Sequence, residues 1–221
     1  GDEVGGSVQW HCSGPIDTLL LPAAGSAYEF QVLGRIFEGG LTVDPFTHQD
    51  VYWLLTDYDF EPYVNATEGV EYGTHLTVEV RRNVYWQDGS VFDAYDVWFN
   101  WNYTDWIAPP GFATDIQRTF IRANIIDNRH AEVWINGTGI WIIYSYLGAI
   151  ASFHPEIYFN NPTQNFTSWS QMETFEPWKT DYDTWMGTTG HPGLTCLIGT
   201  GGWIFVEWDE VAGVVHLTAN R

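Results

Sequence analysis

Apolar and polar positions alternate most cleanly where Leu76, Val78 and Val80 interleave with Thr77, Glu79 and Arg81. A period of two with one apolar face predicts a strand half-buried in a sheet. The strand runs into residues 80–101, VRRNVYWQDGSVFDAYDVWFNW, where Asp88-Gly89 supplies a turn and Asp93 opens a helix. Asp93 is placed to accept from the free amides of the first helical turn, and Asp96, three residues on, completes a capping box. Val97 and Trp101 then share one helix face, while Tyr95, Trp98 and Asn102 share another.

The same reading extends along the chain. Residues 7–12 alternate loosely as a first strand, and Phe30, Leu33, Ile36 and Phe37 space a helix over 27–37 that Gly39-Gly40 ends. A strand over 41–43 stops at Asp44-Pro45, and 50–60 is extended. Pro109 and Pro110 make 107–112 a loop, because they remove donors and push the preceding residues to extended geometry. Residues 120–126 and 130–135 flank Asp127-Asn128-Arg129 as a hairpin. The apolar run 140–150 reads as a buried helix, although its period does not separate helix from strand. Residues 160–192 are expected to be mostly loop with one short helix near 180–186. Two strands close the chain, around the acidic turn Asp209-Glu210.

Three of these segments resemble the family 5 extracellular solute-binding proteins, the receptors that capture peptides, nickel chelates and oligosaccharides for ABC importers. The first match is Val84, Trp86, Asp88, Gly89, Asp93, Ala94, Asp96 and Val97. The second is Pro15, Leu19, Pro22, Ile36, Phe37, Glu38, Gly39 and Leu41, with Gly40 as an extra residue before Leu41. The third is Ile198-Gly199-Thr200-Gly201-Gly202-Trp203-Ile204-Phe205, which departs from the family by placing Gly202 where proline is usual. The resemblance spans nearly the whole chain but only the first part of a family member. It implies a mixed α/β chain of the periplasmic-binding-protein type II kind, first lobe only, with a mixed sheet, flanking helices and hairpins. Residues 1–45 and 190–221 would form the cleft-side portion of that lobe and 46–189 a peripheral subdomain, with the second lobe absent.

Composition changes this picture in three places. Eight basic against 28 acidic residues give a formal charge of −20, with Lys179 the only lysine, which repels phosphate backbones and anionic lipid and argues against nucleic acid as a partner. Asn65, Asn102, Asn136 and Asn165 each begin an Asn-x-Thr acceptor for N-glycosylation, a pattern with meaning only in a secreted chain. Cys12 and Cys196 are the only cysteines. Outside the cytosol they are expected to form a disulfide if the fold brings them together, and otherwise to stay as buried thiols. The setting expected is extracellular or cell-surface anchored, with any leader and lipid anchor lying outside this sequence.

No Gly-x-Ser-x-Gly elbow, Cys-His pairing motif or phosphate loop is present, and the seven histidines have no zinc spacing. The expectation is therefore a binding protein, not an enzyme, with no cofactor. The distinctive chemistry is aromatic: 13 Trp, 12 Tyr and 13 Phe, side chains that offer large contact area at low entropy cost. The resemblance places ligand contacts on two loops, at Ser26, Ala27 and Tyr28 and at Trp106 and Phe112, with Trp203 more weakly. The solute implied is a small one, peptide before nickel chelate or oligosaccharide, and the partner of the full-length protein an ABC permease. Aromatic content alone raises the alternative of an extracellular carbohydrate-binding module or glycan-active enzyme. A lobe without its partner would also expose cleft wall and strand edges, so self-association is expected.

Overall fold

The computed structural model describes residues 14–162 and 164–220. The strand predicted over 7–12 and Cys12 lie outside the described residues. A short 3-10 turn, Leu21–Ala23, leads to helix α1 (Ala27–Ile36), followed by strands β1 (Leu41–Val43) and β2 (Asp50–Tyr52), which pair as a small hairpin. Strands β3 (Leu55–Asn65) and β4 (Val70–Val80) lead through the turn at Asp88-Gly89 to helix α2 (Ala94–Ile107). Helix α3 (Thr114–Thr119), strands β5 (Phe120–Ile125) and β6 (His130–Ile135) and helix α4 (Ile140–Gly148) come next. Three short helices, α5 (Pro155–Tyr158), α6 (Trp169–Met172) and α7 (Tyr182–Met186), precede the closing hairpin of β7 (Trp203–Asp209) and β8 (Val214–Ala219). The central sheet has the order β3-β4-β6-β5, and every strand pair among the described residues is antiparallel. The mixed α/β expectation holds, whereas the sheet expected to be mixed is antiparallel throughout the described residues.

The register follows from the alternation read in the sequence. Leu76, Val78 and Val80 turn inward from β4 and meet Val133 and Ala131 across β6, and the next layer inward is α2. Two faces were expected for α2, one apolar. Val97 and Trp101 are indeed buried, but so are Phe99, Asn100, Tyr103, Thr104 and Ile107, so the helix is covered nearly all round. Its polar tips reach outward to tie the irregular segments down. Trp101 donates its indole N–H to the Tyr146 carbonyl at 2.9 Å, and the Tyr103 hydroxyl donates to the Phe166 carbonyl at 2.9 Å. The Asn100 side chain accepts from the amides of Ser152 and Phe153 at 2.8 and 2.7 Å and donates to the Phe153 carbonyl. Buried polar groups have to be paired in this way, since an unmet one costs about 1–3 kcal/mol.

A second, smaller cluster packs α1 against the last hairpin: Leu19, Leu21, Val32, Leu33, Ile36, Leu197 and Phe205. The glycines before β7 make this approach possible. The Gly201 amide donates to the Ile36 carbonyl at 2.8 Å, and a Cβ on Gly199 or Gly201 would collide with that carbonyl. Gly202, in the position of the family's proline, faces open space. No helix among the described residues is long and apolar enough to cross a membrane.

Candidate functional site

Helix α1 begins with Ser-x-x-Glu, and both halves of its capping box form: the Ser26 hydroxyl accepts from the Glu29 amide and the Glu29 carboxylate accepts from the Ser26 amide at 2.8 Å. The buried Glu29 carboxylate also accepts from the amides of Asp17, Thr18 and Gly25. Burial alone would raise its carboxyl, but these backbone donors hold it below the usual range. The helix is thereby fixed at its start, and the Gly201 contact fixes its end. Phe37-Glu38-Gly39 follows that end and lines the first of two grooves.

The first groove, about 320 Å³, lies between α1, the loop holding Phe112 and Ala113, and the C-terminal end of α4. Its walls are Leu21, Phe30, Leu33, Phe37, Phe112, Ala149 and Ala151, with Ser145 and Ser152 as polar lining. Ala113 holds φ 45° there, a left-handed backbone on a residue with a Cβ. The second groove, about 780 Å³, is more polar and is lined by Tyr52, Trp53, Tyr85 and Trp86 together with Arg81, Asn83, Gln87, Thr200 and Asn220. Arg81 is not free to roam: its guanidinium donates to the carbonyls of Trp53 and Tyr52. Glu38 lines both grooves. Burial pushes its carboxyl up, partly offset by the Trp53 and Thr200 side chains.

Of the six residues expected to contact ligand, Phe112 lines the first groove and the other five line neither. Ser26 is engaged as the helix cap, Ala27 is exposed and Tyr28 half-buried in the first turn of α1. Trp106 is half exposed at the end of α2, edge-on to Phe159 with centroids 5.2 Å apart. Trp203 starts β7, where its carbonyl accepts from the Gln87 side chain at 2.7 Å. Phe30, Gly34 and Glu38 line the first groove without having been expected to contact ligand, although Phe30 was read as a helix position and Glu38 as part of the family match. Their one local signal is a glycine inside a helix with no turn to make.

Beneath the second groove a buried network holds the Asp88-Gly89 turn. Asp88 accepts from the Tyr182 and Ser90 hydroxyls, each at 2.6 Å, and lies 3.2 Å from His154 Nε2. Burial would raise the Asp88 carboxyl, but His154, Ser90 and Tyr182 hold it well below the usual carboxylate range. Ser90, His154 and Asp88 do not make a nucleophile relay. A relay needs the two ring nitrogens to face different partners, whereas Nε2 faces both Ser90 and Asp88 and Nδ1 is buried without a partner. Above this network the Trp86 indole N–H donates to Asp96 at 3.1 Å, and burial pushes the Asp96 carboxyl up to about 6.

No group of three or more His, Cys, Asp or Glu among the described residues is placed to hold a metal ion. Cys196 is a buried free thiol, pushed up to about 12 by burial. The expected bridge to Cys12 falls outside the described residues. Among the sequons, Asn136 and Asn165 are exposed, while Asn65 holds a turn through the amides of Thr67 and Glu68. Asn102 sits half-buried inside α2, donating to the Trp98 carbonyl.

No protein-family model and no curated protein matches the sequence. Solved structures do match. NikZ from Campylobacter jejuni, in complex with Ni(L-His), is similar over 94% of this chain and 34% of its own, with TM-score 0.59 and 18% identity. The oligopeptide-binding protein of Thermus thermophilus, complexed with a pentapeptide, is similar over 91% of this chain and 34% of its own, with TM-score 0.59 and 15% identity. The mannohexaose-bound periplasmic oligopeptide-binding protein of Thermotoga maritima is similar over 86% and 29%, with TM-score 0.52 and 16% identity. The chain thus has the fold of one part of the type II, family 5 solute-binding proteins, and spans about a third of the length of the structures it matches.

Proposed function

We propose that this chain belongs to a solute-capturing receptor of an ABC importer and supplies one wall of a two-lobed clamp. The observation that carries the reading is the likeness of nearly the whole chain to about a third of binding proteins carrying a nickel–histidine complex, a pentapeptide and a hexasaccharide. Fold likeness at this identity does not choose among the three. In the clamp reading residues 1–45 and 190–221 are the cleft side of the lobe and 46–189 its periphery, and the small cluster of α1 with the last hairpin lies within the first of these. In such a protein ligand binds between lobes and closure follows from tighter binding to the closed state, with no bond made or broken. The protein works outside the cytoplasm, and its partner is a permease. In this reading Phe112 and the first groove form the solute wall, and Ser26, Ala27, Tyr28, Trp106 and Trp203 remain the further candidate contacts.

Thermal unfolding of the chain and of any longer form, measured against short peptides, mannohexaose and Ni(L-His), tests the reading. Stabilisation by one class that grows with the logarithm of ligand concentration names the solute. No stabilisation by any class overturns it. Carbohydrate binding within this chain alone is the second reading, favoured by the aromatic and amide lining of the second groove. A shift with mannohexaose that disappears in Trp53→Ala supports it.

A further inference from the structure

Resting on the reading that the protein works outside the cytoplasm, we infer that Asn136 and Asn165 carry N-linked glycans and that Asn65 and Asn102, which open the same acceptor pattern, do not. The bond forms at the side-chain nitrogen. A polyprenyl-phosphate-linked oligosaccharide is the donor: its anomeric C1–O bond breaks as the C1–Nδ2 bond forms, the lipid phosphate leaves, and one Nδ2 proton passes to it. Such a transfer needs an Nδ2 with no competing acceptor and a hydroxyl two residues on that the transferring enzyme can reach. By that standard the four acceptors divide two and two. Asn102 lies half-buried inside α2, its Nδ2 donates to the Trp98 carbonyl at 2.8 Å, and Thr104, the hydroxyl of its pattern, is fully buried. Asn65 ends β3, where its carbonyl accepts from the amides of Thr67 and Glu68 and its Nδ2 donates to the Tyr63 hydroxyl at 2.8 Å. Both ends of that side-chain amide are engaged in holding the hairpin.

Asn136 and Asn165 differ at each of these points. Both are exposed, as are Thr138 and Thr167, and neither side-chain amide has a hydrogen-bond partner among the described residues. Both lie between elements, Asn136 just past β6 and Asn165 ahead of α6. The Asn136 backbone amide donates to the Thr119 carbonyl at 2.7 Å, which anchors the loop without using the side chain. The Thr167 hydroxyl donates to the exposed Gln171 side chain at 3.0 Å and stays at the surface. Asn161 supplies a contrast: it is buried, and Pro162 between it and Thr163 removes it from the acceptor pattern. Neither Asn136 nor Asn165 lines a groove, so a bulky glycan on either leaves both grooves open. Asn83, which does line the second groove, begins no acceptor. Ile140 and Trp141, exposed just after the Asn136 loop, are apolar surface that a hydrated glycan there would shield.

The test separates the fold from the motif. The folded chain and four synthetic peptides, each spanning one acceptor, are given the same oligosaccharyltransferase and lipid-linked oligosaccharide, and each asparagine is followed by glycopeptide mass spectrometry. All four peptides should be modified. In the folded chain modification should persist at Asn136 and Asn165, slow by about tenfold at Asn65, the scale of one hydrogen bond that must open, and slow by at least about a thousandfold at Asn102, which is reached only when α2 unfolds. Thr138→Ala and Thr167→Ala should each abolish one site. In the protein taken from its own cells, glycopeptides should show both Asn136 and Asn165 occupied. A bare Asn136 or Asn165 in that protein overturns the inference, as does modification of Asn65 or Asn102 in the folded chain at the rate of its peptide. The solute panel answers separately. A chain that responds to a solute but carries no glycan remains a receptor and loses this inference; a glycosylated chain silent to every solute keeps the inference and loses the receptor reading.

Discussion

Helices α1 and α2 open with the same device, a capping box closed by a carboxylate at the third helical position, yet the two carboxylates are held in opposite ways. Glu29 accepts from four backbone amides and is kept below its ordinary pKa. Asp96, also buried, accepts from one amide and one indole beside Asp93, and burial pushes it up to about 6. A sequence motif fixes the backbone geometry of a cap; the number of donors and the depth of burial fix its charge. Helix α1 is thus locked at its start by a carboxylate that stays ionised into acid, and helix α2 by one that takes up its proton near pH 6. Their ends differ too: α1 stops against the glycines before β7, whereas α2 stops in a left-handed alanine, Ala108.

The largest effect is expected at the locked end of α1. Gly199→Ala places a Cβ on the Ile36 carbonyl, which is backbone and cannot swing aside, so the closing hairpin must move off the helix. A loss of about 3 kcal/mol or more, the scale of severe overpacking, should appear in urea denaturation. Gly202→Ala, nearby in open space, should cost less than about 1 kcal/mol and serves as its control. At the start of the same helix, Glu29→Ala leaves four amides without their acceptor, and a loss of about 2–3 kcal/mol is expected from the missing cap and the unmet buried donors.

Acid separates the two carboxylates by sign. Because Asp96 has a folded pKa above its ordinary value of 3.8, its contribution is fully present below that value and is lost as pH rises through about 6. The wild type should therefore gain on Asp96→Asn by on the order of 2 kcal/mol between pH 7 and pH 4. Glu29 is lowered, so its contribution is present above its ordinary value of 4.5 and is lost as pH falls through the folded value. The advantage over Glu29→Gln should hold down to about pH 4.5 and shrink only below it. Urea midpoints of the two variants, followed from pH 7 to well below pH 4.5, check both slopes, and parallel slopes would remove the distinction drawn between the caps.

Much of the frame was legible because it is written in local chemistry. Asp93 and Asp96 announced α2, and Asp127 announced the β5–β6 hairpin, where its carboxylate accepts from the amides of Arg129 and His130. Helix α3 was missed because it follows a left-handed alanine with no side-chain cap, and α5 because its single turn shows only proline at the start. Ser26 and Glu29 also spell a capping box, a role the sequence reading of Ser26 did not name. Phe112 was expected from its loop to contact ligand, and it lines the first groove. Glu38 and Gly34 were not legible as groove lining, because which segments enclose a volume is decided only in the fold. Asp88 and His154 lie far apart in sequence and meet only in the fold.

The smallest effect is expected at the free end of α2. Ala108 holds φ 49° and donates its amide to the Thr104 carbonyl, the position where helices commonly place glycine to avoid the Cβ clash of the left-handed region. Glycine there also widens the unfolded ensemble, which offsets part of the relief. Ala108→Gly should therefore stabilise by about 0.5–1 kcal/mol. The equivalent change at the end of α1, Phe37→Gly, meets an extended residue with φ −104° and removes a groove wall, so it should destabilise. The pair of opposite signs, read from two urea midpoints, follows from the backbone region each helix ends in. A loss of stability in both variants would mean that Ala108 is held by its neighbours at no cost, and that the two helix ends are alike after all.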